Sequence, residues 1–393
     1  MREGDTTSAR ATATNHTVTR LNRTAIVDAL EQHGPLTRAE ITERTGLASA
    51  TVHRLCTRLV DEGTIAVERE ADGGIGRPTH RYRFLGESRT VVAIDITDDT
   101  ARGALIDMNG AVSHTHDTPL RGADGALSPT SRLDGVLQAV EDLIATAAER
   151  GTPAQGVGIA VPGLVDRSGV VGHSVELGWS SVPLRDRVAE RTGGLPVVVE
   201  NDANAVAVGE WARGAAQGSQ HMAAFLLGVG LGAGIVADGR LLRGFRSGAG
   251  EIGSLIADRS AFARTYDEAG DLESRVLSLG AARTPGARRD SSISILDEYA
   301  EGVPTALDPA AELLDYIAIS IAALSVVLDT AEVILSGRLP ARADVLVSEI
   351  ETRLRGRIPN PPRIVIGALG ERAAVIGVGQ LVIEQVKGGL YLA

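Results

Sequence analysis

A chain of 393 residues, 44% of them hydrophobic, is long enough to bury about two to three separate cores and too apolar to remain disordered. Its formal charge of −11 excludes a protein that coats nucleic acid over its whole surface, and its one cysteine, Cys56, excludes an intrachain disulfide or a multi-cysteine zinc site. Residues 1–85 carry roughly +1 and the remainder about −12, so the charge changes where a domain boundary is expected.

Residues 1–18 are polar and Thr-rich without periodicity, which predicts a disordered tail; they contain no apolar leader, and no run of about 18 apolar residues predicts a membrane span, so a cytoplasmic protein is expected. Residues 19–85 read as one compact unit. In "GPLTRAEITERTGLASATVHRLC", Thr37 and Glu40 have capping-box spacing, Leu36 can staple onto Ile41, and Gly46 is a helix stop. Ser49 is expected to cap a second helix, in which Val52, Leu55, Cys56 and Leu59 form a core stripe at i, i+3, i+4 and i+7. The other face offers Ser49, Thr51, His53, Arg54, Thr57 and Arg58, donors suited to base edges and phosphates in a major groove. Thr37 and Arg38 open the preceding helix and complete the candidate DNA contacts. "TIAVERE" and "THRYRF" read as two strands joined by "ADGGIGRP", a wing whose tip carries Arg77, placed to enter an A/T-rich minor groove. The competing reading of this unit is a small helical packing domain with a solvated cationic face. Cys56 is then a small core residue, and His53, lacking a second ligand at helical spacing, is a surface or DNA-facing histidine.

From Thr90 the chain alternates strands and helices, an α/β pattern. "VVAIDI" at 91–96, "GVGIAV" at 156–161, "PVVVEND" at 196–202, "AAFLLGVG" at 223–230 and "EVILSG" at 332–337 read as strands, 282–291 as a loop, and Asp308 with Pro309 as the start of a long helix.

The head followed by this unit resembles the ROK family (repressors, open reading frames and kinases), in the branch similar to xylose and N-acetylglucosamine repressors. The resemblance implies a winged helix-turn-helix followed by a two-lobed actin-like, ribonuclease H-like, sugar-kinase ATPase fold over 90–393. "VPGLVD", "LGWSSVPL", "VENDANAVAVGE" and "GAGEIG" are the segments similar to the family's sugar site. By the resemblance Gly163, Asn201, Asp202, Glu251, Ser254 and Glu273 line the pocket, and in a kinase Asp202 would be the base. Asp202 also reads as the N-cap of the helix that follows.

The departures are as informative as the matches. Where the family reads Asp-Ile-Gly-Gly-Thr, this chain has Asp95, Ile96, Thr97, Asp98 and Asp99, so side chains and carboxylates occupy the phosphate turn. Ser254 stands for the family's zinc-binding His, the loop after it has no cysteine, and Glu176 replaces an expected Asn. The expectation is a sugar-responsive DNA-binding regulator, acting as a dimer or dimer of dimers on palindromic operator DNA, without catalytic residues, metal or cofactor. The alternatives are a sugar kinase carrying a DNA-binding head, and a regulator with a vestigial pocket controlled by a protein partner.

Overall fold

The computed structural model describes residues 6–69, 80–122, 124–228, 230–266, 269–283 and 291–390, with the side chains of 6–17, 280–283, 291–294 and 389–390 not described. The wing tip, with Arg77, lies outside the described residues, as does most of the loop expected at 282–291. The ends of that loop belong instead to flanking helices.

The head consists of α1 (Thr6–His33), β1 (Leu36–Thr37), α2 (Arg38–Thr45), α3 (Ser49–Asp61), β2 (Ile65–Arg69) and β3 (His80–Phe84), with sheet order β1-β3-β2. Residues 6–18 are helical, not the disordered tail expected of the polar composition. Ile26, Val27 and Leu30 anchor α1 in the core, and extending an existing helix costs far less than nucleating one. The capping box is formed: Thr37 N donates to Glu40 Oε2 at 2.7 Å, and Glu40 N donates to Thr37 Oγ1 at 3.3 Å. Gly46 ends α2 at φ 67°, in the left-handed region. Ser49 is not the cap of α3. Ala48 is the last extended residue (φ −60°, ψ 139°) and receives the first helical bonds, so Ser49 occupies the first helical position and the N-cap has no side-chain acceptor. Val52, Leu55, Cys56 and Leu59 are fully buried, and burial pushes the Cys56 thiol up to about 11, which leaves it unreactive.

Two five-stranded sheets of matching topology follow. The first contains β4 (Thr90–Ile96), β5 (Thr100–Asp107), β6 (Val112–Pro119), β7 (Ala154–Val161) and β11 (Val197–Asn201), in the order β11-β7-β4-β5-β6. α4 (Pro129–Glu149) connects β6 to β7. Between β7 and β11 run a small sheet of β8 (Leu164–Val165), β9 (Val171–Ser174) and β10 (Trp179–Val182), and then α5 (Leu184–Arg191). After α6 (Asp202–Arg213), the second sheet contains β12 (Met222–Leu227), β13 (Leu231–Ala237), β14 (Arg240–Leu241), β15 (Glu332–Gly337) and β16 (Arg363–Ile366), in the order β14-β13-β12-β15-β16. Its helices are α7 (Asp271–Arg283), α8 (Ser291–Ala300), α9 (Leu307–Leu328) and α10 (Ala343–Leu354), and α11 (Ala373–Leu390) closes the chain. In each sheet the first and second strands pair antiparallel, and the first strand pairs parallel with the fourth.

α9 begins at Leu307 with Ala306 as its N-cap, so Asp308 lies inside the first turn and is not the cap that its place before Pro309 suggested. By length and composition 304–328 could cross a membrane. Here Leu313, Leu314, Ile317 and Ile321 are buried with the strands of the second sheet, as in a core helix.

α6 and α11 lie against each other between the sheets. A Cβ on Gly377 would fall 1.7 Å from the carbonyl oxygen of Ala205, and one on Gly209 would fall 2.3 Å from that of Ala373. The two helices therefore touch backbone to backbone, and only glycine fits at the crossing.

Candidate functional site

The head presents a mostly exposed row on α3. Ser49, His53, Arg54, Thr57 and Arg58 are open and Thr51 is half-buried, opposite the buried stripe. Thr57 Oγ1 donates to the His53 carbonyl at 3.0 Å. Arg38 is exposed, its guanidinium 5.3 Å from the Tyr82 ring centre. The Thr37 oxygen accepts the Glu40 amide, so its O–H is what remains for a phosphate. The side-chain donors and the uncapped start of α3 form one surface, the arrangement with which a recognition helix meets a duplex.

In the second unit, a cavity of about 250 Å³ gathers Gly163, Asn201, Asp202, Glu251, Ser254 and Glu273, with His173 and Glu176. Gly163 has φ 121°, and its carbonyl accepts Asn201 Nδ2 at 3.1 Å. Asn201 ends β11 and is the N-cap of α6: its Oδ1 accepts Asn204 N at 3.0 Å. Asp202 is therefore not the N-cap. Its Oδ1 accepts Ala203 N at 2.8 Å and Asn201 Nδ2 at 3.1 Å, which orients the carboxyl at the cavity wall. Gly232 and Gly234, in β13, have a packing role: a Cβ on Gly234 would lie 2.3 Å from the Ala203 carbonyl oxygen. Their bareness brings the first turn of α6 onto β13.

Burial, then the charges of Asp95, Glu176 and Glu251, push the Asp202 carboxyl up to about 8. Burial alone pushes Asp95 up to about 6 against the opposing attraction of Arg102. Glu251 is raised by desolvation and then by Glu273. At neutral pH Asp202 therefore carries a proton, and it can both give and take a hydrogen bond.

A raised carboxyl stabilises the fold below its unfolded value of about 4, and that contribution is lost as pH rises through its folded value of about 8. Asp202→Asn should accordingly raise the melting temperature at about pH 8 more than at about pH 5. An unchanged slope of melting temperature against pH in the variant would place the titration elsewhere.

A neighbouring cavity of about 320 Å³ shares Glu176 and Asp202 and is lined by six carboxylates, Asp95, Asp98, Asp99, Glu176, Asp202 and Glu371, against two guanidiniums, Arg102 and Arg338. The phosphate turn forms its wall. Thr97 N and Oγ1 both donate to the Thr100 carbonyl, at 2.9 and 3.0 Å. Buried Arg132, on α4, donates to Asp98 Oδ1 at 2.7 Å and to the Asp98 carbonyl at 2.9 Å, and Arg121 lies 3.5 Å from Asp99. Arg132 had no motif to announce it; the only signal was one cation among the apolar positions of a helix.

Glu200 and Glu210, both inside quoted motifs, hold the frame. Glu200 is buried, accepts Asn204 Nδ2 at 3.0 Å and pairs with Arg243 at 2.7 Å. Glu210, fully buried, accepts the amides of Ala215, Ala368 and Leu369 at 2.9, 3.0 and 3.0 Å. Ser254 and Glu273 border the 250 Å³ cavity from a short 3₁₀ turn and from the first turn of α7. The zinc implied by the family does not fit here: Ser254 offers no imidazole, and among the described residues no three His, Cys, Asp or Glu side chains converge as a metal site.

A winged helix-turn-helix joined to an actin-like sugar-kinase fold defines a DNA-binding regulator with a sugar-sensing module. The ROK family model matches residues 91–385, and a MarR family model matches 16–74. The chain belongs to the ROK family. It is 31% identical over 329 residues to a glucokinase of Halalkalibacterium halodurans, covering 76% of this chain and 96% of that protein. It is 23% identical over 374 residues to the xylose repressor of Bacillus subtilis, covering 93% and 96%. Among solved structures, a ROK family transcriptional regulator, a homologue of the E. coli MLC protein, superposes with a TM-score of 0.77 at 23% identity, over 96% of this chain and 98% of that one. A ROK glucokinase from Streptomyces griseus, in complex with glucose and AMPPNP, gives 0.58 at 24% identity, over 74% and 98%.

Proposed function

We propose that this protein is a cytoplasmic transcriptional repressor of carbohydrate-utilisation genes, in which a sugar in the 250 Å³ cavity alters how paired heads sit on a palindromic operator. Asn201, Asp202, Glu251 and Glu273 take sugar hydroxyls, with Gly163 and Ser254 shaping the wall, and α3 reads the major groove. A single helix-turn-helix gives little specificity, so the working unit is a homodimer or a dimer of dimers.

The observation that carries this reading is the phosphate turn. Arg132 fixes Asp98 in the wall of the nucleotide-side cavity, so the turn that a triphosphate would need is filled by the side chains of Thr97, Asp98 and Asp99. The carboxylates of Asp98 and Asp99 in that turn oppose a triphosphate by like charge.

The second reading is a sugar kinase with a DNA-binding head, favoured by the glucokinase relative and by Asp202 at the start of α6, just beyond the end of β11. A coupled assay with ATP and glucose, N-acetylglucosamine, mannose or xylose separates the two. No ATP-dependent turnover is expected; sugar phosphate formed at about 1 per second or faster would establish the kinase instead.

A further inference from the structure

Of the two helices that cross between the lobes, α11 is bonded to the head at its far end, and the far end of α6 brings a further positive charge toward the same corner. Lys387, near the end of α11, donates to Glu31 Oε2 on α1 at 2.7 Å, and both side chains are largely buried, at 19% and 20% exposure. The same ammonium attracts Asp28, one turn earlier on α1, and lies 5.9 Å from the centre of the Phe84 ring on β3. Arg213, the last residue of α6, attracts Glu31 as well, and its Nη2 donates to the Asn109 carbonyl at 2.7 Å. Glu31 and Asp28 both have carboxyls raised by desolvation, so this corner is poorly hydrated and each charge depends on its partners.

The opposite end of α6 is the sugar cavity: Asp202 opens the helix and Arg213 ends it. Between those ends, α6 meets α11 at the Gly209 and Gly377 crossing with no side chain to cushion a shift. Glu210, one residue beyond Gly209, ties the same stretch of α6 to the loop before α11 through the Ala368 and Leu369 amides. A displacement of the first turn of α6 is thus carried to Arg213 along its own helix and to Lys387 through α11.

We propose that the Glu31–Lys387 ion pair, backed by Asp28 and Arg213, is the joint through which occupancy of the sugar cavity repositions the DNA-binding head. Lys387 and Glu31 are positioning residues: they touch neither sugar nor DNA and set the angle at which α3 is offered. The inference rests on the sugar-responsive reading above.

The test uses the full-length protein and its Lys387→Met and Lys387→Arg variants. Three readouts are taken at fixed salt: the thermal shift given by each sugar of the panel, operator affinity with and without the sugar that binds, and amide exchange along residues 20–33. In Lys387→Met the sugar shift should be unchanged and exchange in α1 should rise. The sugar-induced change in operator affinity, about 5–150-fold for an ordinary allosteric coupling, should fall to less than about twofold. Lys387→Arg, which keeps the positive charge facing Glu31 and Asp28, should retain most of the coupling and of the α1 protection. Full coupling with unchanged α1 exchange in Lys387→Met overturns the joint while leaving the sugar reading intact. Loss of coupling in Lys387→Arg equal to that in Lys387→Met also overturns it. A wild-type protein that binds none of the sugars overturns the reading of the cavity, and the joint with it; raised α1 exchange in the variant would then report packing alone.

Discussion

Asp202→Ala should leave the free protein folded and able to bind its operator but abolish the thermal shift given by sugar. A ligand held at about 100 times its dissociation constant adds about 2.7 kcal/mol to wild-type stability, a shift readily measured. The variant loses the one side chain fixed at the cavity wall by both Ala203 N and Asn201 Nδ2. Its own stability should not fall for want of a helix cap, because Asn201 is the cap of α6. Removing a carboxyl held up at about 8 by burial and then by the charges of Asp95, Glu176 and Glu251 should instead keep the apo melting point level or raise it. Asn201→Ala supplies the contrast, with the cap lost at a cost of about 1 kcal/mol. Melting curves of the three proteins across a sugar panel decide the matter: a normal sugar shift in Asp202→Ala would remove Asp202 from the binding site.

That correction shows where sequence reading stops. An acid before "ANAVAVGEWA" is a sound cap signal, yet the preceding Asn201 has the same ability and stands in extended backbone, so the cap moves one residue. A one-residue shift likewise moved the cap of α3 from Ser49 to Ala48, and a two-residue shift moved that of α9 from Asp308 to Ala306. Local chemistry names the turn in which a helix starts; the final dihedral angles choose the residue. The strands and the buried stripe of α3 were legible because each lies in a short segment with its own pattern, whereas the gathering of 163, 201, 202, 251, 254 and 273 at one cavity was implied by the resemblance to the family. Arg132 against Asp98, Glu210 against Ala368 and Lys387 against Glu31 were not legible, because each joins residues far apart in the chain whose meeting depends on the completed fold.

Arg54→Ala should weaken operator binding by about 1–3 kcal/mol and relax preference at one base pair in each half-site. Arg54 is exposed on α3, flanked by buried Val52 and Leu55, so truncation leaves the core untouched and its cost falls on DNA. His53, beside it, has its carbonyl engaged by Thr57 and its ring exposed, which keeps the helix face ordered when Arg54 is shortened. A phosphate contact would behave differently. It would weaken binding uniformly over all sequences and reduce the salt slope by about one, because a phosphate contact releases a counterion and a base contact does not. Arg77→Ala gives a second axis. From a wing tip in an A/T-rich minor groove its loss should be felt most on A/T-rich flanks, since a narrow groove concentrates negative potential. Titrations of the three proteins at several salt concentrations, on operators varied at each half-site position and in the flanks, measure all of this together. A uniform loss with a reduced salt slope for Arg54→Ala would move base reading off this position and leave it a backbone clamp.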